Sequence, residues 1–222
     1  MSKVVHPYAH RLVILRGWKS AWFADNKKYK EYLKEDVLIR RFFEKRLRTF
    51  YVSVVEIERN QKTTRIVIKT SRPGMIIGRS GEGAIKLKED LLKMLRKEKI
   101  TLGEDLKIDI VEVTAPDSDA HIVAYSVAEG LEKRMPYRRV LKQTIEKVMS
   151  SRGVQGVRIL LAGRLGGAEI ARSEELKKGS IPLQTFRADV DFAREKGHLP
   201  YGDIGIKVWI YRGEIFEDKN KK

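Results

Sequence analysis

Pro73-Gly74-Met75-Ile76-Ile77-Gly78-Arg79-Ser80-Gly81 is the stretch on which the fold turns. Two apolar residues lead into Gly78-x-x-Gly81, with a basic residue between the glycines. Glycine lacks Cβ, so Gly78 and Gly81 can take φ > 0 and let another backbone approach closely. A helix-like apolar stretch, Ala84 to Leu95, follows directly. The free N–H groups at the start of such a helix can meet phosphate oxygens. A bare G-x-x-G is a weak motif that also fits an ordinary strand-to-helix turn. Its weight here comes from its neighbours. A nucleotide-binding loop competes poorly: no G-x-G-x-x-G spacing is present and no G-x-x-x-x-G-K-[ST] occurs.

Working outward, Asp36 to Leu47 sets apolar Leu38, Phe42 and Phe43 among Arg40, Arg41, Lys45 and Arg46, which predicts a basic amphipathic helix. Tyr51–Arg59 and Thr64–Thr70 are rich in β-branched residues and flank Asn60-Gln61-Lys62, so they read as a hairpin. Behind the glycines, Ala84, Leu87, Leu91 and Leu95 form one helical stripe. Leu106, Ile108 and Ile110 then alternate with Lys107 and Asp109, a half-buried strand. The order helix, strand, strand, glycine loop, helix, strand is that of the KH fold with its extra helix in front. KH domains clamp a few nucleotides of single strand on such a loop.

Ala115-Pro116-Asp117-Ser118-Asp119 reads as a boundary, with Asp117 or Ser118 capping the helix that follows to about Arg134. Pro136 starts a second helix, and Gly153 suits its C-terminal end. Val157, Ile159 and Leu161 make one strand face. Phe186, Ala188, Val190 and Phe192, and then Ile204, Ile206, Val208 and Ile210, alternate with other residues at period two. The fold class is therefore α+β: a KH-type domain over 34–115, then a C-terminal domain over 116–216 with two helices on an antiparallel-rich sheet. Residues 1–33 read as a basic, aromatic N-terminal arm, and 217–222 as a disordered tail. Ala168–Lys178 has helical composition but lies among strands.

Charge points to the partner. The chain of 222 residues carries 46 Lys and Arg against 30 Asp and Glu, a formal net charge of +16. Such an excess fits polyanions, nucleic acid first. Half of it lies in the first 48 residues, where 13 Lys and Arg face 5 Asp and Glu. The absence of cysteine removes disulfides, thiolate zinc sites and cysteine nucleophiles. No apolar run approaches the ~20 residues that a membrane helix needs, and no signal peptide opens the chain. A cytoplasmic protein without membrane or cofactor is the simplest reading.

Three further constellations are candidates. In the helix after Pro136, Arg138, Arg139 and Lys142 share one flank, and Lys133 and Arg134 lie just ahead. Composition alone favours a solvated helix face, yet five cations in ten residues make a strongly positive ridge that attracts phosphate. Gly163-Arg164-Leu165-Gly166-Gly167 follows a strand and is either a plain loop or a place where a guanidinium and bare backbone meet a phosphate. Trp18, Trp22 and Phe23 are core aromatics or a partner surface. Catalysis finds little support. His6, His10, His121 and His198 form no metal-like pair on a helix, and no nucleophile has an evident base. Asp189 and Asp191 could hold Mg²⁺, but surface carboxylates meeting Arg187 are the better reading.

Taken in order, Trp18-Lys19-Ser20-Ala21-Trp22-Phe23-Ala24, Arg72 to Glu82, Gly163 to Arg172, Phe186-Arg187-Ala188-Asp189-Val190-Asp191 and Gly205-Ile206-Lys207-Val208-Trp209-Ile210 resemble the bacterial form of the universal family of small-subunit ribosomal protein S-three. The resemblance covers nearly the whole chain. It implies a structural, non-enzymatic protein of the head of the small ribosomal subunit, bound to small-subunit rRNA. It implies neighbours among ribosomal proteins S-two, S-ten and S-fourteen. It also implies a position where mRNA enters, beside S-four and S-five, with Arg138, Arg139 and Lys142 facing the mRNA and helping to open its structure. Further rRNA contacts are expected from Arg11, Lys133, Arg134, Arg164, Arg172 and Arg187, and KH-loop contacts from Gly78, Arg79, Ser80 and Gly81. The resemblance makes Ala168–Lys178 largely strand.

The chain departs from the family in two places. Arg79-Ser80 stands where bacterial relatives usually carry two lysines. Ala9 and His10 stand where the pattern has glycine and an aromatic residue. The competing functions are a free KH-type regulator or assembly factor that only visits ribosomes, and a nucleic-acid-processing enzyme using Asp189 and Asp191 with Mg²⁺.

Overall fold

The structure, a computed structural model, describes residues 5–60, 63–98 and 105–216. It divides into two compact units, 18–114 and a second that joins 1–17 to 115–222. The boundary between the units within 1–33 falls after Gly17. The tail from Glu217 and the Gln61-Lys62 turn lie outside the described residues.

In the first unit, β1 (Ser20–Ala21), β2 (Val52–Arg59), β3 (Thr63–Thr70) and β4 (Asp105–Glu112) form one sheet in that order. β2 and β3 are antiparallel, while β4 runs parallel to β3. The parallel step needs a crossover, and α4 (Glu82–Lys97) supplies it. α4 buries Leu87, Leu91 and Leu95, each worth about 1.5–3 kcal/mol relative to exposure. They meet Ile57, Ile66 and Ile68 of the sheet, and Ile39 and Phe43 of α2 (Asn26–Arg46). α2 starts earlier than the apolar pattern indicates, because Asn26 to Leu33 is polar but contains no helix breaker. The tryptophan cluster separates. Trp22 donates from Nε1 to the buried Asp36 at 2.8 Å, while Trp18 and Phe23 are exposed. Asp36 and Glu35 in turn receive Arg59, a buried charge network.

In the second unit, β5 (Gly156–Gly163), β6 (Arg172–Gly179), β7 (Ala188–Leu199) and β8 (Gly202–Glu214) form an antiparallel sheet in the order β6-β5-β8-β7. The 168–178 segment is strand from Arg172 on, because pairing with β5 overrides local helix preference. α5 (Ala120–Glu132) and α6 (Tyr137–Ser150) cover one face over Val157, Ile159, Leu161, Ile204, Ile206 and Val208. Asp119, not Asp117 or Ser118, caps α5: its carboxylate accepts the His121 and Ile122 N–H groups at 2.9 and 3.2 Å. α6 ends at Ser150, with Ser151 rather than Gly153 at its cap.

The opposite face of β7 and β8 is not polar either. Val190, Phe192, Trp209 and Tyr211 are buried there. α1 (Pro7–His10) lies on β7, with the His6 ring edge-on to Phe192 at 4.8 Å and His10 stacked on Phe186 at 4.2 Å. Ala9 sits inside this helical turn, where alanine is unstrained. His10 supplies the flat ring that an aromatic residue would.

Candidate nucleic-acid interface

Two basic sites emerge, one in each unit. In the first unit, α3 (Pro73–Ile77) opens with Pro73 in its first turn and ends at Gly78, whose N–H returns to the Gly74 carbonyl at 3.0 Å. The chain then passes through Gly78 (φ 71°), Ser80 (φ 53°) and Gly81 (φ 82°) before α4 begins. Three left-handed residues in four explain the two glycines, and Ser80 carries the remaining strain. A third glycine, Gly83, was not marked by the motif. A Cβ there would lie 2.4 Å from the Ile76 carbonyl oxygen, so α4 can cross α3 this closely only with glycine. No side chain caps the first N–H groups of α4. They open onto an exposed turn carrying Arg79, for which the described residues supply no ion-pair partner. The turn therefore offers backbone donors, a helix N-terminus and one guanidinium to an anion.

In the second unit, α6 buries Val140, Leu141, Ile145 and Val148 and turns Arg138, Arg139 and Lys142 to solvent. Arg138 is 71% exposed and stays near Glu174 of β6 at 3.7 Å. Its pKa is raised by Tyr137 first and Glu174 second, which keeps it charged. Arg139 and Lys142 have no ion-pair partner among the described residues, so their charge is fully available. The start of α6 is pinned to β6: Tyr137 Oη donates to Glu174 Oε1 at 2.9 Å and accepts from Arg172 Nη2 at 2.9 Å. Arg172 thereby joins the ridge from another element.

The glycine turn after β5 adjoins this point. Gly166 and Gly167 have φ of 68° and 81°, and a Cβ on Gly166 would lie 3.8 Å from Tyr137 Cε1. Arg164 is exposed and donates to the Ala168 carbonyl at 2.9 Å and the Tyr201 carbonyl at 3.4 Å, so it clips the turn to the β7–β8 hairpin. Ahead of α6, Lys133 pairs with Glu129 at 2.6 Å, and Arg134 is exposed with φ 60°.

Two expected contacts change. Arg11 is 0% exposed and cannot meet rRNA. It donates to the carbonyls of Pro7, Pro182, Leu183, Thr185 and Ala188 at 2.6–3.2 Å. Burial lowers its pKa, opposed by the charge of Asp189. The arginine fork is spent on holding α1 to the 182–188 segment. Arg187 is exposed but pairs with Glu214 at 2.5 Å, which reduces its free charge.

Asp189 and Asp191 do not meet Arg187. Asp189 binds Arg16 at 2.5 Å, and Asp191 binds Arg212 at 2.8 Å and the Ala120 N–H at 3.0 Å. Burial pushes the Asp191 carboxyl up, but Arg212, the Ala120 N–H, Arg16 and His121 together hold it below the ordinary carboxylate range. Both carboxylates are engaged in structure. No group of three or more metal-ligating side chains occurs among the described residues.

Known proteins resemble this chain in sequence. A family model described as KH domain matches residues 38–118, and one described as ribosomal protein S3, C-terminal domain, matches 127–210. The small ribosomal subunit protein uS3 of Caldicellulosiruptor saccharolyticus is 43% identical over 219 residues, covering 99% of this chain and 96% of the relative. The uS3 protein of Clostridium novyi is also 43% identical over 219 residues. That of Clostridium botulinum strain Okra is 44% identical over 215 residues, covering 97% and 93%. With such identity along nearly its whole length, the chain belongs to the ribosomal protein uS3 family of small-subunit constituents.

Proposed function

We propose that this protein sits in the head of the small ribosomal subunit in the cytoplasm, binds small-subunit rRNA, and guides incoming mRNA along the exposed flank of α6. Its neighbours are ribosomal proteins S-two, S-ten and S-fourteen, with S-four and S-five nearby where mRNA enters. The observation that carries the mRNA reading is the free charge of Arg139 and Lys142 beside Arg138 on one rigid helix. Cations fixed on a helix attract phosphate without reading sequence. They hold the strand that emerges from a melting duplex and so bias the duplex toward the open form, with no bond chemistry of their own. The Gly78–Gly81 turn with Arg79 contacts RNA through backbone N–H groups, more weakly than a turn with two lysines would. Lys133 and Arg134 contribute contacts to rRNA, and Arg187, already paired with Glu214, contributes less.

Photo-crosslinking tests the mRNA reading. A 4-thiouridine placed at successive positions downstream of the decoded codon, in complexes of intact subunits, crosslinks to α6 within a short window. Absence of any α6 crosslink across the downstream positions overturns it.

A further inference from the structure

Tyr201 stands at the tip of the β7–β8 hairpin, between Leu199, which ends β7, and Gly202, which begins β8. The residue is 62% exposed, yet it is held in place. The ring lies over Gly167, where a Cβ would come 3.5 Å from Tyr201 Cε2. Gly167 has φ 81°, a conformation that favours glycine, and the ring lies at van der Waals distance from the position its Cβ would take. Arg164 reaches the same tip, its guanidinium 5.9 Å from the ring centroid and bonded to the Tyr201 carbonyl. A Cβ on the adjacent Gly166 would meet Tyr137 at 3.8 Å, and the Tyr137 ring is bordered by Arg138 at 5.6 Å and Arg172 at 6.0 Å. Two tyrosines therefore flank two bare glycines, with an arginine at the rim of each ring. A turn with two left-handed glycines and a guanidinium thus lies against a ring that stays more than half exposed.

We propose that the Gly163–Gly167 turn and the hairpin tip form a stacking platform for unpaired nucleotides of single-stranded RNA. The open face of Tyr201 takes a base, and Arg164 and Arg172 take flanking phosphates. Every base has a π-face, so aromatic stacking beside cations suits a strand of any sequence. The platform begins where the α6 ridge ends, and its assignment to mRNA rests on the reading of that ridge. A strand leaving Arg138 and Arg139 then passes from purely electrostatic contacts to one that also holds a base.

The test uses the full chain and a fluorescein-labelled uridine dodecamer. Arg79→Asp with Ser80→Asp is the background, so that RNA is repelled from the other glycine turn. Tyr201→Ala and Tyr201→Leu weaken binding by about fivefold to a hundredfold, the range for losing one stacked base. Tyr201→Phe binds within about twofold of the parent, and the salt slope is unchanged in all three because no phosphate contact is lost. Equal binding by all three variants and the parent overturns the platform and leaves the exposed ring to a protein neighbour. Equal loss in Phe, Leu and Ala also overturns it, since the hydroxyl would then be the contact. Arg139→Ala with Lys142→Ala separates the two readings. Loss there without loss at Tyr201 refutes the platform alone, while loss at Tyr201 without loss there refutes the ridge and keeps the stacking site.

Discussion

The Tyr137 hydroxyl donates to Glu174 Oε1 at 2.9 Å across 37 residues of sequence, joining the first residue of α6 to strand β6. The same oxygen receives Arg172 Nε at 3.3 Å and lies 3.7 Å from Arg138 Nη2. One carboxylate thus sets the direction of two arginines and tempers their charge. Glu174→Gln removes that negative charge while keeping an acceptor for Tyr137. RNA affinity of the full chain at low salt then rises roughly twofold to fivefold, the scale of one exposed ion pair, and the gain disappears at high salt. Tyr137→Phe instead costs about 1 kcal/mol of stability with little change in RNA affinity. Filter binding and chemical denaturation check the two outcomes.

Arg11 predicts a structural phenotype. Arg11→Ala leaves five carbonyls without their donor in a buried place. Unsatisfied buried acceptors cost about 1–3 kcal/mol each at most, and relaxation recovers part of that. A loss of roughly 3 kcal/mol is expected, with proteolysis appearing first in residues 1–17. Arg11→Lys rescues little, because an ammonium cannot span the carbonyls that the planar fork reaches. Calorimetry and limited proteolysis of the full chain measure both.

At the glycine turn the two substitutions differ in kind. Gly81→Ala meets open space but a φ of 82°, a cost of about 1 kcal/mol. Gly83→Ala drives a methyl against the Ile76 and Ile77 carbonyls at 2.4 and 2.8 Å, so α4 must shift and the first unit loses more than about 2 kcal/mol. Urea denaturation of each variant ranks them.

Asp191 gives a pH signature. Its folded pKa is depressed below the unfolded value, so its contribution is fully present above about pH 4. It is lost as pH falls from there through the folded pKa. Asp191→Asn lowers the melting temperature at neutral pH and flattens the melting curve against pH below about 4. A parallel curve for parent and variant contradicts the assignment.

Much of the fold was legible because its signals are local. The Gly78–Gly81 turn, the Leu87-Leu91-Leu95 stripe and the alternation around Ile204–Ile210 each specify an element without help from elsewhere. Beyond the helix ends, which shift by a few residues, the misreadings share one cause: long-range pairing. Arg11 reads as a surface cation because nothing in its neighbourhood announces the five carbonyls, four of them more than 170 residues away. Trp209 and Tyr211 fall on what alternation marks as an outward face, until α1 docks over part of that sheet. Arg172 looks independent of Arg138 until β6 brings Glu174 to Tyr137. The ridge itself was visible as charge at helical spacing, but its charge balance needed the third dimension to appear.

In the proposed function the α6 cations act on structured mRNA. The direct measurement is the rate at which ribosomes carrying Arg138→Ala with Arg139→Ala translate through a stable mRNA hairpin, compared with an unstructured message. Near-normal subunit assembly, an unchanged rate on the unstructured message and clear slowing at the hairpin are expected. Equal passage through the hairpin by mutant and parent ribosomes would contradict it.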